Sequence, residues 1–211
     1  MQNRIDHFTL GANNLDDGIA YLQDIMGIVM PRGGQHPLMS THNCVMATGD
    51  GQFMEMIAID PDAPTPTRTR WFSLDEERTI TRLAQRPRAL CWVVDTPDLD
   101  KIVANSPIDL GPPIEMSRGD RTWRLTVPKD GSLPEQGLIP AFIEWSPGPH
   151  PSSVQQDLGI RLHDIRISHP DLARLRSIFE ALDIAHLVSF SEGEKALSFD
   201  VETPKGRIIL D

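Results

Sequence analysis

From Thr41 to Asp60 the alternation of side chains reads as two strands joined at Gly49-Asp50-Gly51, where glycines supply the positive φ angles of a tight hairpin. On the second strand, period two puts Phe53, Glu55, Ile57 and Ile59 on one face and Met54, Met56 and Ala58 on the other. Both faces are largely apolar, so the pattern predicts an interior strand on which Glu55 has no route to water. A buried carboxylate needs a counter-charge, a proton or a metal ion, because leaving it ionised and alone is too costly.

The rest of the chain is organised around such hairpins. Ile5–Leu10 reads as a strand, and Asn13, Asn14 and Asp16 open a helix with Leu15, Ile19, Leu22, Ile25 and Met26 at helical spacing, stopped by Gly27. Ile28–Pro31 is expected to be the next strand, with Gly33-Gly34 as a turn. The order is β-α-β-β-β. A proline-rich exit, Asp60–Pro66, leads to Ser73-Leu74-Asp75-Glu76, which has the form of a capping box, and to a short helix carrying Ile80, Leu83 and Ala84. Residues 61–87 are thus expected to be a surface connector. Strands at Ala89–Val94, Pro112–Ser117, Arg121–Val127 and Leu138–Trp145, with a helix over Asp98–Ala104, repeat the order, the loop Pro128–Gly137 being inserted. After the linker Ser146–Ser153 it recurs: Leu162–Ser168, a helix over Pro170–Leu182, then Ala185–Phe190, Lys195–Glu202 and Arg207–Leu210. The expected class is α+β, built from three βαβββ units at about 4–60, 88–146 and 154–211.

Composition narrows the partners. A net charge of −10 over 211 residues disfavours nucleic acid and anionic membrane surfaces. No apolar run approaches a membrane span, and the N-terminus has no secretion-signal pattern. The two cysteines, Cys44 and Cys91, read as reduced thiols of a cytoplasmic protein, a single disulfide being the alternative. There is no phosphate-binding loop, dinucleotide fingerprint or serine nucleophile elbow.

Counting along the units matches His7, eight residues before Leu15, with Cys91, eight before Leu99; Phe53-Met54-Glu55-Met56 then matches Phe142-Ile143-Glu144-Trp145. On this register Glu55 and Glu144 face one cavity. Two carboxylates there need a cation, an arginine (Arg118, Arg121 or Arg124) or a shared proton between them. Other candidates for binding a substrate are His42 and Asn43 on the neighbouring strand, Arg118 and Arg121 beside a glycine turn, Trp123, and His150 in the loop after the second unit. Trp145 reads as core, and His36 lies in no functional pattern.

Several segments resemble the glyoxalase-like domain family of the vicinal oxygen chelate superfamily: Ile5-Asp6-His7, Thr41-His42-Asn43, Phe53-Met54-Glu55, Met116-Ser117-Arg118-Gly119, Glu144-Trp145 and His150-Pro151-Ser152. The resemblance implies that the first two units, as a domain over 1–148, pair into a cupped mixed sheet. It also implies that His7, Glu55 and Glu144 hold a divalent metal (Zn, Mn, Fe or Ni), with Glu55 and Glu144 as the catalytic proton carriers. Cys91 departs from the second histidine of that pattern. The implied activity is that of a metal-dependent lyase, isomerase or dioxygenase on a small oxygenated, anionic substrate; the alternative is a metal-free binding or resistance-type protein using the same cup. A lone third unit leaves one sheet face bare, so a homodimer that covers it is expected.

Overall fold

The structure is a computed structural model that describes residues 2–211. The chain forms β1 (Arg4–Gly11), α1 (Leu15–Met26), β2 (Arg32–His36), β3 (Thr41–Gly49), β4 (Gln52–Ile59), α2 (Glu77–Gln85), β5 (Arg88–Asp95), α3 (Leu99–Asn105), β6 (Pro113–Arg118), β7 (Arg121–Thr126) and β8 (Ala141–Trp145). The last stretch adds β9 (Arg161–His169), α4 (Leu172–Ala181), β10 (Ser189–Glu192), β11 (Ala196–Thr203) and β12 (Gly206–Leu210). Local chemistry sets the ends of α1. The Asn14 side chain accepts from the Asp17 N–H, and Gly27 closes the helix at φ 76°, where a side chain would be strained.

The first two units form one eight-stranded sheet in the order β2-β3-β4-β1-β5-β8-β7-β6. In each unit the last strand lies parallel beside the first, and β1 and β5 join the halves antiparallel. The sheet curls until its edges meet: a Cβ built on Gly34 of β2 would lie 2.9 Å from the Arg118 guanidinium of β6. Inside this cup, Ile57, Val93, Leu125 and Ile143 pack with Trp71 and Phe72 from the connector. Outside it, Phe8, Met54, Met56, Trp92 and Phe142 pack under α1 and the C-terminal unit.

That third unit keeps the β-α-β-β-β element order but not the pairing. Its sheet runs β10-β9-β11-β12, with β9 parallel to β10 and antiparallel to β11. Ile165, Ile167, Phe199 and Val201 on its apolar face belong to the same cluster as Phe8 and Trp92, with Phe8 and Phe199 rings 5.0 Å apart and Trp92 and Phe179 at 6.1 Å. Each such side chain is worth roughly 1.5–3 kcal/mol on burial. The face expected to require a partner chain is therefore covered within the chain.

Several local expectations change, among them the strand expected from Leu138, which begins only at Ala141. The second strand starts at Arg32, not Ile28, and takes in Gly33 and Gly34. The glycines are there for clearance: a Cβ on Gly33 would sit 2.3 Å from the Asn43 side-chain oxygen, which accepts the Gly34 N–H at 2.8 Å. Ser73 does not cap α2, whose N-cap is Glu76; instead Ser73 and Phe72 adopt positive φ (55° and 58°), and the Ser73 hydroxyl accepts the Leu133 N–H. The segment Ala185–Leu187 is a 3-10 turn, the strand beginning only at Ser189.

Candidate functional site

Glu55 lies inside the cup and is 5% exposed. Its strand runs between β1 and β3, so one oxygen accepts from the Asn43 amide at 2.7 Å and the other from the Thr9 hydroxyl at 3.1 Å. The His7 Nε2 lies 3.7 Å from that second oxygen. Asn43 is fixed in turn, since its oxygen takes the Gly34 N–H and its second amide hydrogen points to His36 Nε2 at 3.4 Å. His36 Nδ1 then donates to Thr41 Oγ1 at 3.0 Å. Burial, opposed by the charge of Glu55, drops the His36 pKa to about 4, so this imidazole is neutral at neutral pH.

Behind His7 stands a residue that pattern reading passes over. The pairing of β1 with β5 slips between Ile5 and His7, leaving Asp6 as a bulge. A bulge breaks the strict alternation of faces, so Asp6 and its neighbour His7 meet. Asp6 is fully buried, accepting from His7 Nδ1 at 2.5 Å, His150 Nε2 at 2.9 Å and the Trp145 indole at 2.7 Å. Burial alone raises its pKa; the hydrogen bonds from His150 and His7, with their charge, overcome this and hold it at about 2. His150 keeps its proton on Nε2 because the Ser152 N–H donates to its Nδ1. His7, with Nδ1 given to Asp6 and its ring stacked 4.4 Å from Phe53, presents Nε2 to Glu55.

The chamber in front of these groups holds about 50 Å³ of open space, bounded also by Trp71, Phe72, Trp123, Trp145, Arg118 and Gln155. Two of its buried polar atoms lack partners among the described residues, the Trp71 indole nitrogen and the Gln155 side-chain oxygen. Trp71 and Phe72 come from the connector, which is therefore a wall of the chamber rather than a surface strap. Asp6, Thr9, His36, Trp71 and Gln155 are site residues the sequence did not single out.

Glu144 is elsewhere. In the sheet His7 pairs with Phe53 and Val93 with Ala141, while His7 and Val93 face each other across the join. The equivalent of His7 is thus Val93, not Cys91, and the equivalent of Glu55 is Ile143, not Glu144. A one-residue offset in register puts Glu144 on the opposite face. There it is partly exposed, ion-paired with Arg124 at 2.5 Å and lining an open groove of about 1010 Å³. No cation, arginine or proton bridges the two glutamates, because they do not share a cavity. Cys91 lies beside Thr9, buried, and its thiol is held well above 9 by burial.

The remaining candidates divide. Asn43, Arg118 and Trp123 line the chamber. His42 is turned toward Asp60 at 3.9 Å and does not line it; Arg121 bonds the Pro149 carbonyl and covers the outside of Trp145 at 5.8 Å. His150 acts through Asp6 rather than from the chamber wall.

A divalent metal finds few donors. His7 and Glu55 face one another, while the matching positions of the second half are the hydrocarbon side chains of Val93 and Ile143. Among the described residues no three His, Cys, Asp or Glu side chains are grouped to hold an ion, so the expected set of His7, Glu55 and Glu144 is not assembled. Among the described residues no helix is long and apolar enough to cross a membrane, and both cysteines are free.

The fold recurs among solved structures. A hypothetical protein from Staphylococcus aureus superposes with a TM-score of 0.57 at 13% identity, covering 98% of this chain and 84% of its own. A variant of 4-hydroxymandelate synthase from Streptomyces coelicolor gives a TM-score of 0.53 at 12% identity, covering 99% of this chain and 61% of its own. Methylmalonyl-CoA epimerase from Mycobacterium tuberculosis gives 0.43 at 16% identity over 72% of this chain and 92% of its own. No curated protein matches in sequence. The family profile described as "Glyoxalase-like domain" matches residues 5–182, and the chain belongs to that family.

Proposed function

We propose that the cup is the active site of an enzyme that moves a proton on a small oxygenated acid, an isomerase- or lyase-type reaction with Glu55 as the base. The observation that carries this reading is the line Glu55–His7–Asp6: a buried carboxylate facing an imidazole whose far nitrogen is fixed by a second buried carboxylate. Glu55 uses one lone-pair direction on each oxygen for Asn43 and Thr9 and keeps others for a substrate proton. Enolisation of a carbonyl acid then transfers a carbon-bound proton to Glu55 and the electron pair to the carbonyl oxygen. The unpartnered Trp71 N–H and the Arg118 guanidinium are the donors available to that oxygen and to the carboxylate. His7 takes up and returns the proton as the pair re-equilibrates. The donors facing the chamber are too few among the described residues to hold a divalent metal.

Deuterium uptake tests the reading. In D₂O the wild-type protein is expected to speed exchange at C3 of 2-oxobutanoate above the buffer rate, and Glu55→Gln to lose at least about a hundredfold of that enhancement. A binding or resistance-type protein using the same cup gives saturable binding without exchange.

A further inference from the structure

The chamber, with about 50 Å³ of open space, is much the smaller of two neighbouring spaces. A second space lies next to it. His36 and Trp123 line both the chamber and an outer groove of about 430 Å³, whose other walls are Pro37 and Leu38 on one side and Glu115, Met116 and Ser117 of β6 on the other. The groove sits where the two sheet edges come together, the same gap that Arg118 spans over Gly34.

Its lining is chemically unlike the chamber's. Leu38 is 42% exposed in the tight turn between β2 and β3, while the next residue, Met39, is fully buried. The turn is fixed by the Ser40 hydroxyl, which donates to the Pro64 carbonyl, so the display of Leu38 is built in. Inside, by contrast, a buried indole N–H and a buried amide oxygen wait without partners.

We infer that the substrate is an aliphatic acid in two parts: a compact oxygenated head held in the chamber by Trp71 and Arg118, and an unbranched tail lying in the outer groove against Leu38, Met116 and Trp123. This rests on the reading of the cup as the substrate site and adds the tail. The head accepts from Trp71 and Arg118, and the tail is selected by apolar burial at about 0.8 kcal/mol per methylene, which is roughly fourfold in affinity.

Quenching of the tryptophan fluorescence by straight-chain 2-oxo acids of increasing length, from pyruvate to 2-oxooctanoate, measures this. The expected result is a Kd that falls about threefold to fourfold per methylene. Leu38→Glu, on an exposed turn and checked for folding by circular dichroism, is expected to flatten that slope and leave pyruvate affinity within about twofold. Absence of binding, a flat slope in wild type, or a slope unchanged in Leu38→Glu overturns the inference. Failure of the base is separate: it appears as missing deuterium exchange while the chain-length slope persists.

Discussion

The two halves of the cup share a strand order and a join, yet their inner faces differ. The first half carries His7, Thr9, Asn43 and Glu55, whereas the second carries Val93 and Ile143 where His7 and Glu55 have their counterparts, with Cys91 facing Thr9 across the join. Its one carboxylate on the last strand, Glu144, points outward to Arg124. On the proposed function, a duplicated scaffold supports a one-sided site: the first half would supply the acid–base groups, and the second the largely apolar wall opposite them. That division matters because a low-dielectric wall strengthens each electrostatic contact made by Glu55 and His7.

The comparison breaks most severely at the bulge, which only the first half uses in this way. Asp6→Ala leaves His7, His150 and the Trp145 indole without their common acceptor, and removing one partner from a buried ionic cluster costs about 3–5 kcal/mol. Thermal unfolding should shift down by roughly 10 °C or more. A shift of a degree or two would mean that Asp6 does not organise the site.

Acid titration reads the same cluster without mutating it. The Asp6 carboxyl is held at about 2 when folded against 3.8 ordinarily, so its stabilisation is complete above about pH 4 and is lost as the pH falls toward 2. Such a shift is worth roughly 2 kcal/mol. His36 acts earlier: with a folded pKa of about 4 against 6.5, it resists protonation, and stability declines from about pH 6.5 until near 4. Denaturant midpoints across pH should show both declines, with the His36→Phe variant lacking the upper one.

Making the halves alike sharpens the comparison. Val93→His with Ile143→Glu gives the second half the donor types that His7 and Glu55 give the first. The double variant is expected to retain stoichiometric zinc through dialysis, where the wild type does not. Zinc retained equally by both would show that the wild-type donor set is sufficient. The smallest effect belongs to the outward-facing pair: Glu144→Gln should change stability by less than about 1 kcal/mol, since it breaks a partly exposed ion pair.

Much of the fold was legible in the sequence. The β3–β4 hairpin, α1 with its Asn14 and Gly27 ends, and the repeated element order all follow from periodicity and capping chemistry. Within the site, Glu55 as a buried carboxylate and its neighbours His7 and Asn43 were legible too. The rest depended on register. Counting from Phe142-x-Glu144 put the second glutamate one residue off, and one residue is the whole difference between two faces of a strand. The bulge at Asp6 and the positive-φ kink that delivers Trp71 and Phe72 leave no periodic signal, because each is fixed by contacts with distant chain: Val93 and Val94 for the first, Gly131 and Leu133 for the second.

Side-by-side deuterium exchange of 2-oxobutanoate by Glu55→Gln and Glu144→Gln tests the one-sided site most directly. The expected result is a loss of at least about a hundredfold for Glu55→Gln and a change within about twofold for Glu144→Gln. Equal losses in the two variants, or exchange that survives in Glu55→Gln, would contradict it.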